Sequence, residues 1–253
     1  MHSLKGYIAT LYLVEYPDRL LLLDGGARRD AARLVDFLRT ELKRSPEDLA
    51  LSLVTHMHLD HAGGAPRLRH RYGVPIAAHY RIDCWYRGFS GALQHLVDTL
   101  LGHYSARRQF GHVERAWSPR ILRPNYLLHD GETLPGFPDW IAYEAPGHTL
   151  YDLVFFQPGQ GLLYVGDLMI KSGGRVLLPF PTLFPRLMAA TFAKMGRLPI
   201  RKLLMAHGGE HEIADPPAFF AALGRQLEQP PDKFQFRLIK PLLLLGRETR
   251  RPR

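Results

Sequence analysis

The sequence predicts an α+β fold in which two β-rich layers are covered by helices. Short apolar stretches bounded by Gly, Pro and Asp fall into two clusters, one in each half of the 253 residues, and helical periodicities lie between them. The composition, 46% apolar and 23% charged with one cysteine, is that of a globular chain. That single residue, Cys84, excludes an internal disulfide framework and any cysteine-based zinc cluster.

Residues 7–15 alternate and are rich in β-formers, Tyr16-Pro17-Asp18 is a turn, and 19–23 is an apolar strand ending at Asp24-Gly25-Gly26. An amphipathic helix follows over 29–43, where Ala32, Leu34, Val35, Leu38 and Leu42 share a face. Residues 49–54 form a short buried strand that runs directly into Thr55-His56-Met57-His58-Leu59-Asp60-His61. Another helical stretch and a strand at 75–79 come next. Residues 80–125 lack alternation and contain a helical stretch at 92–101, which predicts a helical insert or cap. Strands resume at 141–145, 152–157 and 161–165, the last two joined by the turn Pro158-Gly159-Gln160-Gly161. A helix at 186–196, a strand at 202–206 and a helix at 216–228 complete a single domain spanning 1–253, with a basic tail at 231–253.

The formal charge is +9, which invites a nucleic-acid reading. The excess is confined, however: residues 231–253 carry seven basic and two acidic side chains, and residues 101–125 carry five and one. Nucleic acid is therefore not the expected partner. The tail, with its run from Leu242 to Leu245, is read as a candidate dimer or membrane-surface contact. No apolar run approaches the roughly 20 residues that span a bilayer. The N-terminus lacks an uninterrupted apolar signal region, so the expected location is the cytoplasm.

The strongest chemical signal is His56-x-His58-x-Asp60-His61. At an extended strand exit, residues two apart point to the same side, so His56 and His58 can converge on one ion. Asp60 and His61 fall at a turn or helix start, rotated toward a neighbouring position. Four such groups packed together would otherwise need a partner for every ring nitrogen. Imidazole and carboxylate are common ligands of divalent metals. Three more candidates follow predicted strands beside glycines: His148, Asp167 and His207.

With its early Asp24-Gly25-Gly26 turn, its HxHxDH run, Gly147-His148-Thr149, Gly166-Asp167 and late His207, the chain resembles the metallo-β-lactamase superfamily from about residue 7 to about 210. The resemblance implies a four-layer αββα sandwich with a dinuclear site on one edge. It implies that His56, His58 and His148 hold the first metal. Asp60, His61 and His207 would hold the second, Asp167 would bridge them, and Asp24 would be a structural residue behind the site. Seven ligand groups also exceed what one tetrahedral ion with an open position takes, and they suit two divalent ions, Zn, Mn or Fe.

The implied activity is a metal-dependent hydrolase whose nucleophile is a bridging hydroxide, with Asp60 orienting it and carrying a proton to the leaving group. An Asp in the bridging position argues against antibiotic hydrolysis, because β-lactamases of the superfamily generally lack it. Residues 168–206 contain no tyrosine of the kind that the lactonase branch uses. Only some 45 residues follow His207, which is short for the helical C-terminal domain of glyoxalase-II-like thioesterases. An ester, thioester or lactone-type small molecule is the expected substrate. The alternatives are a nuclease or phosphodiesterase of the same superfamily and a mononuclear iron dioxygenase. If the insert overhangs the site, Trp85, Tyr86, Phe89 and Trp117 would form an apolar wall, and Arg107, Arg108 and Arg115 would attract an anionic or acyl substrate. The same segment reads equally well as a helical cap that only packs.

Overall fold

The computed structural model describes residues 1–114 and 117–228. The first sheet runs in chain order: β1 (His2–Lys5), β2 (Thr10–Glu15), β3 (Leu20–Leu23), β4 (Leu49–Val54), β5 (Ile76–His79) and β6 (Tyr126–Leu128). The first three strands are antiparallel, and β3 to β6 are parallel. The second sheet comprises β7 (Glu132–Leu134), β8 (Phe137–Glu144), β9 (Leu153–Gln157) and β10 (Leu162–Tyr164), which pair in sequence. A small hairpin, β11 (Ile170–Ser172) and β12 (Arg175–Leu177), stands apart. The sheet then resumes with β13 (Lys202–Met205), parallel to β10, and β14 (Gly209–Glu212) at its edge.

Among the described residues six α-helices accompany the sheets: α1 (Asp30–Thr40), α2 (Leu59–Ala62), α3 (Ala65–Tyr72), α4 (Gly88–Phe110), α5 (Pro185–Met195) and α6 (Pro216–Gln226). The strand pattern dictates the layering. In β3, Leu21 and Leu23 face the inter-sheet core with Phe137, Trp140 and Phe155, while Leu20 and Leu22 face Leu34, Val35 and Leu38 of α1. In β9, Leu153 and Phe155 point into the same inter-sheet core, and Val154 and Phe156 point to α5 and α6 through Phe192 and Phe220. Central strands buried on both faces read as continuous apolar runs, so a sequence such as Leu20-Leu21-Leu22-Leu23 has no polar side to present. Helix, sheet, sheet and helix form the four layers expected.

The differences lie at the margins. Strands β1, β6, β7 and β14 were not anticipated; each is three or four residues long and occupies a sheet edge. Edge strands carry charged and polar side chains such as Lys5, Glu132 and Glu210, so their alternation is weak. Helix α4 extends well beyond the expected 92–101. Its second half turns the half-buried Gly102 and the buried Ala106 inward, small residues that leave no apolar periodicity. A Cβ at Gly102 would lie 2.6 Å from Leu59 Cδ2, so glycine is what lets α4 close on α2. Gly111, with φ of 74°, caps the helix in the left-handed conformation. Arg115 and the 231–253 tail lie outside the described residues. Among the described residues no helix is long and apolar enough to cross a membrane.

Phe155 is fully buried between the sheets. Phe155→Ala should cost about 3–5 kcal/mol of unfolding free energy in urea titration. A loss below about 1 kcal/mol would mean that the sheets close over the gap.

Candidate metal centre

The side chains that the sequence singled out arrive at one edge of the sandwich. His56, His58, Asp60 and His61 come from the bend and the four-residue helix α2 that follow β4. His148 lies in the loop from β8 to β9, Asp167 follows β10, and His207 follows β13. Strands β8, β10 and β13 run in one direction, so their C-terminal ends share an edge. Two backbone hydrogen bonds stitch the sheets together there: Leu153 N to Thr55 O at 3.1 Å and Thr10 N to Ala206 O at 2.7 Å.

Two clusters result. In the first, His58 Nδ1 is 3.0 Å from His56 Nε2 and 2.9 Å from His148 Nε2. In the second, Asp60 Oδ2 is 3.6 Å from His61 Nε2 and 3.5 Å from His207 Nε2. Asp167 joins them. Its Oδ2 faces His148 and His56 at 3.4 and 3.9 Å, and its Oδ1 faces His207 and His61 at 3.0 and 3.2 Å.

Behind the clusters, Asp24 fixes the ring orientations. Its Oδ2 accepts from Thr55 Oγ1 (2.6 Å), His61 Nδ1 (2.6 Å) and Tyr164 OH (3.1 Å), and its Oδ1 accepts from Thr55 N (3.1 Å). A proton on His61 Nδ1 leaves Nε2 as the lone pair facing Asp167. His56 is set the same way, with Nδ1 3.0 Å from Thr55 Oγ1. Asp24 holds a φ of 101°, an uncommon conformation for a residue with a side chain. Asp152 braces the His148 loop by accepting from Thr149 N at 2.6 Å and from the Thr149 hydroxyl, and burial lifts its pKa to about 6. At His207 the chain turns through Gly208, with φ of 109°, where a Cβ would lie 2.4 Å from Lys171 O.

Sequence reasoning does not reach Asp98 of α4. Its Oδ2 is 3.6 Å from His58 Nε2, the ring atom turned away from the clusters, and it accepts from Tyr86 OH at 2.9 Å. No local motif marks it, because only the packing of α4 over α2 brings it near. Thr55 and Asp152 were likewise invisible as supports. Trp85 and Tyr86, expected to line a substrate wall, are instead 1% and 2% exposed and pack in a core with Ile82 and Leu122. Their large apolar area is better removed from water by the sheet end than left over a polar opening. Arg107 and Arg108 are exposed in the last turn of α4. Arg107 is nine positions from Asp98, which places it on the opposite side of the helix from the clusters. Among the described contacts neither arginine touches the site.

The electrostatics are those of a site built for cations. Burial holds His56 well below the ordinary imidazole range and drops His148 to about 4. Burial also opposes charge on His61 and His207, but the surrounding carboxylates, Asp167 foremost, outweigh it and raise both. Burial disfavours the Asp167 carboxylate too, yet His207 and His61 hold it well below its usual range. His61 Nε2 and Asp167 Oδ1 are buried and make no hydrogen bond of acceptable geometry despite their proximity. Ring nitrogens that converge while their far sides are hydrogen-bonded, as at His56 and His61, are what a divalent ion requires; the far side of His148, Nδ1, is buried and makes no hydrogen bond among the described residues. The two groups, His56, His58, His148 and Asp167, and Asp60, His61 and His207, could each hold one.

The family model of the metallo-beta-lactamase superfamily matches residues 4–207, and the chain belongs to that superfamily. It is 27% identical over 230 residues to the hydroxyacylglutathione hydrolase of Chromohalobacter salexigens, an alignment covering 84% of this chain and 71% of that one. It is 28% identical over 182 residues to the enzyme of the same name from Bartonella quintana, covering 71% of this chain and 55% of the relative. Its fold matches an archaeal metallo-beta-lactamase superfamily protein from Sulfolobus tokodaii with a TM-score of 0.65 at 18% identity, over 98% of this chain and 97% of the other.

Two measurements check the site. Asp98→Ala should weaken zinc binding by about 10- to 100-fold in chelator competition, and unchanged affinity would remove Asp98 from the site. Because His61 and His207 are raised, each retains its proton to higher pH than an ordinary imidazole, and a metal must displace it. Zinc titration should therefore still release protons above the pH at which ordinary imidazoles have lost theirs, with apparent affinity rising with pH.

Proposed function

We propose that this member of the metallo-beta-lactamase superfamily is a dinuclear metal-dependent hydrolase acting on an ester, thioester or lactone-type small molecule. The observation that carries the reading is the division of Asp167, one carboxylate oxygen toward each cluster. A single ion would use one oxygen and leave His61 and His207 without a role. The relatives named hydroxyacylglutathione hydrolase support an acyl substrate, although the chain spans only 55% of one of them.

Divalent ions held by the two clusters would supply Lewis-acid polarisation of a substrate oxygen and lower the pKa of a bound water. The protein's part is arrangement. Asp24 and Thr55 keep His61 and His56 in the tautomers that leave Nε2 free. Asp60, from the start of α2, is partly solvent-accessible and stands at the mouth of the second cluster. Its carboxylate is placed to accept a proton from the attacking water and return it to the leaving group. No serine or cysteine nucleophile is required. A nuclease reading has less support, because the basic side chains of α4 lie away from the clusters.

Purified protein should contain two metal ions per chain by elemental analysis, and one would favour a mononuclear reading. In a panel of lactones, thioesters and phosphodiesters, turnover should appear with the acyl compounds; activity confined to phosphodiesters would overturn the substrate class. Asp60→Asn that retains metal should lose about 100-fold or more in kcat. Full activity would remove Asp60 from proton transfer.

A further inference from the structure

Helix α4 is built inside out. Its fully buried positions, Gly91, Gln94, His95, Thr99 and Ala106, are small or polar, and its inward apolar bulk is limited to the half-buried Val97 and Leu101. Its outer side carries Phe89, Leu93, Leu96, Leu100 and Tyr104, all exposed, with Phe89 at 89%, Leu100 at 59% and Tyr104 at 58%. At about 100° per residue these five fall within an arc of about 80°, along a helix about 35 Å long. A surface helix normally turns its apolar stripe inward, and a continuous exposed stripe of this kind marks a surface that meets another apolar phase.

The charges around the stripe decide which phase. Between residues 87 and 123, the exposed formally charged side chains among the described residues are Arg87, Arg107, Arg108, Arg120 and Arg123. The acidic ones, Asp98 and Glu114, are turned inward to His58 and Arg33. A second copy packed antiparallel on the same face would bring the N-terminal end of α4, where Arg120 donates to Gly88 O, toward Arg107 and Arg108 of the other chain, a like-charge approach at each end. An anionic lipid surface matches both features, with acyl chains for the stripe and headgroups for the arginines.

We infer that α4 is an interfacial helix that lays Phe89, Leu93, Leu96, Leu100 and Tyr104 against the surface of an anionic lipid bilayer. The helix lies in the membrane plane and does not span it. The inference stands apart from the hydrolase reading, since it uses no metal ligand and no turnover.

The full chain is mixed with vesicles of phosphatidylcholine alone or with about 30% phosphatidylglycerol, and binding is read by co-sedimentation at about 0.1 M and about 0.5 M NaCl. Wild type should bind the anionic vesicles, bind the neutral ones about tenfold more weakly, and be released by salt. Leu96→Glu/Leu100→Glu, both exposed positions, should lose about tenfold or more in partitioning while keeping the wild-type unfolding midpoint. Arg107→Glu/Arg108→Glu should lose the preference for anionic vesicles. Equal binding by wild type and the leucine variant would assign lipid contact to another part of the chain and overturn the proposal. So would a wild-type dimer in sedimentation velocity that the leucine variant converts to monomer, because the stripe would then be a subunit interface.

Discussion

One buried carboxylate organises the molecule. Asp24 leaves the end of β3 in an uncommon backbone conformation and gathers the Thr55 hydroxyl, the His61 ring and the Tyr164 phenol around one oxygen. Thr55 and His61 belong to the first sheet's edge and Tyr164 to the second's. The charge is thus neutralised by donors from both halves of the sandwich, and each donor is aimed by the bond it makes. A buried carboxylate without those partners would be costly, so the arrangement holds only when both sheets are in register. The orientation of the histidines follows from that requirement.

The rest of the edge repeats the logic at smaller scale. His56, His58 and His148 lie in the segments that leave rigid strands, and each is braced by an acidic or hydroxyl group that never enters the clusters: Thr55 for His56, Asp152 for the His148 loop, Asp98 for His58. Rigid strands supply position and the braces supply rotation. The low effective polarity of the pocket sharpens both. It depresses His148, while the shared carboxylate of Asp167 outweighs burial at His61 and His207 and raises both.

Much of this was legible in the residues. The central strands 49–54, 152–157 and 202–206 are apolar on both faces, and that composition survives any uncertainty about neighbours. The HxHxDH run is equally explicit, because four ligand groups in six positions have few other physical uses. What escaped notice was whatever depends on tertiary approach. Edge strands such as β7 and β14 exist because a neighbour offers them hydrogen bonds, and their own side chains say little. Asp98 is one acid on a helix until α4 closes over α2. Aromatic residues in an insert suggest a wall over the opening, but the area of Trp85 and Tyr86 is consumed by packing at the sheet end. The inversion of α4 hid in the same way, since a stripe of leucines looks inward-facing until the other face is found occupied.

The ligands divide along the chain as well as in space. His56, His58, Asp60 and His61 precede β6, whereas His148, Asp167 and His207 follow β7. Each half folds its own sheet and brings an incomplete set to a common rim, so any ion that engages both sets acts as a rivet between two plates. Occupancy of the rim and cohesion of the plates become one thermodynamic quantity. A demetallated molecule should therefore begin to part at this edge, and the opposite edge of the sandwich should give way last.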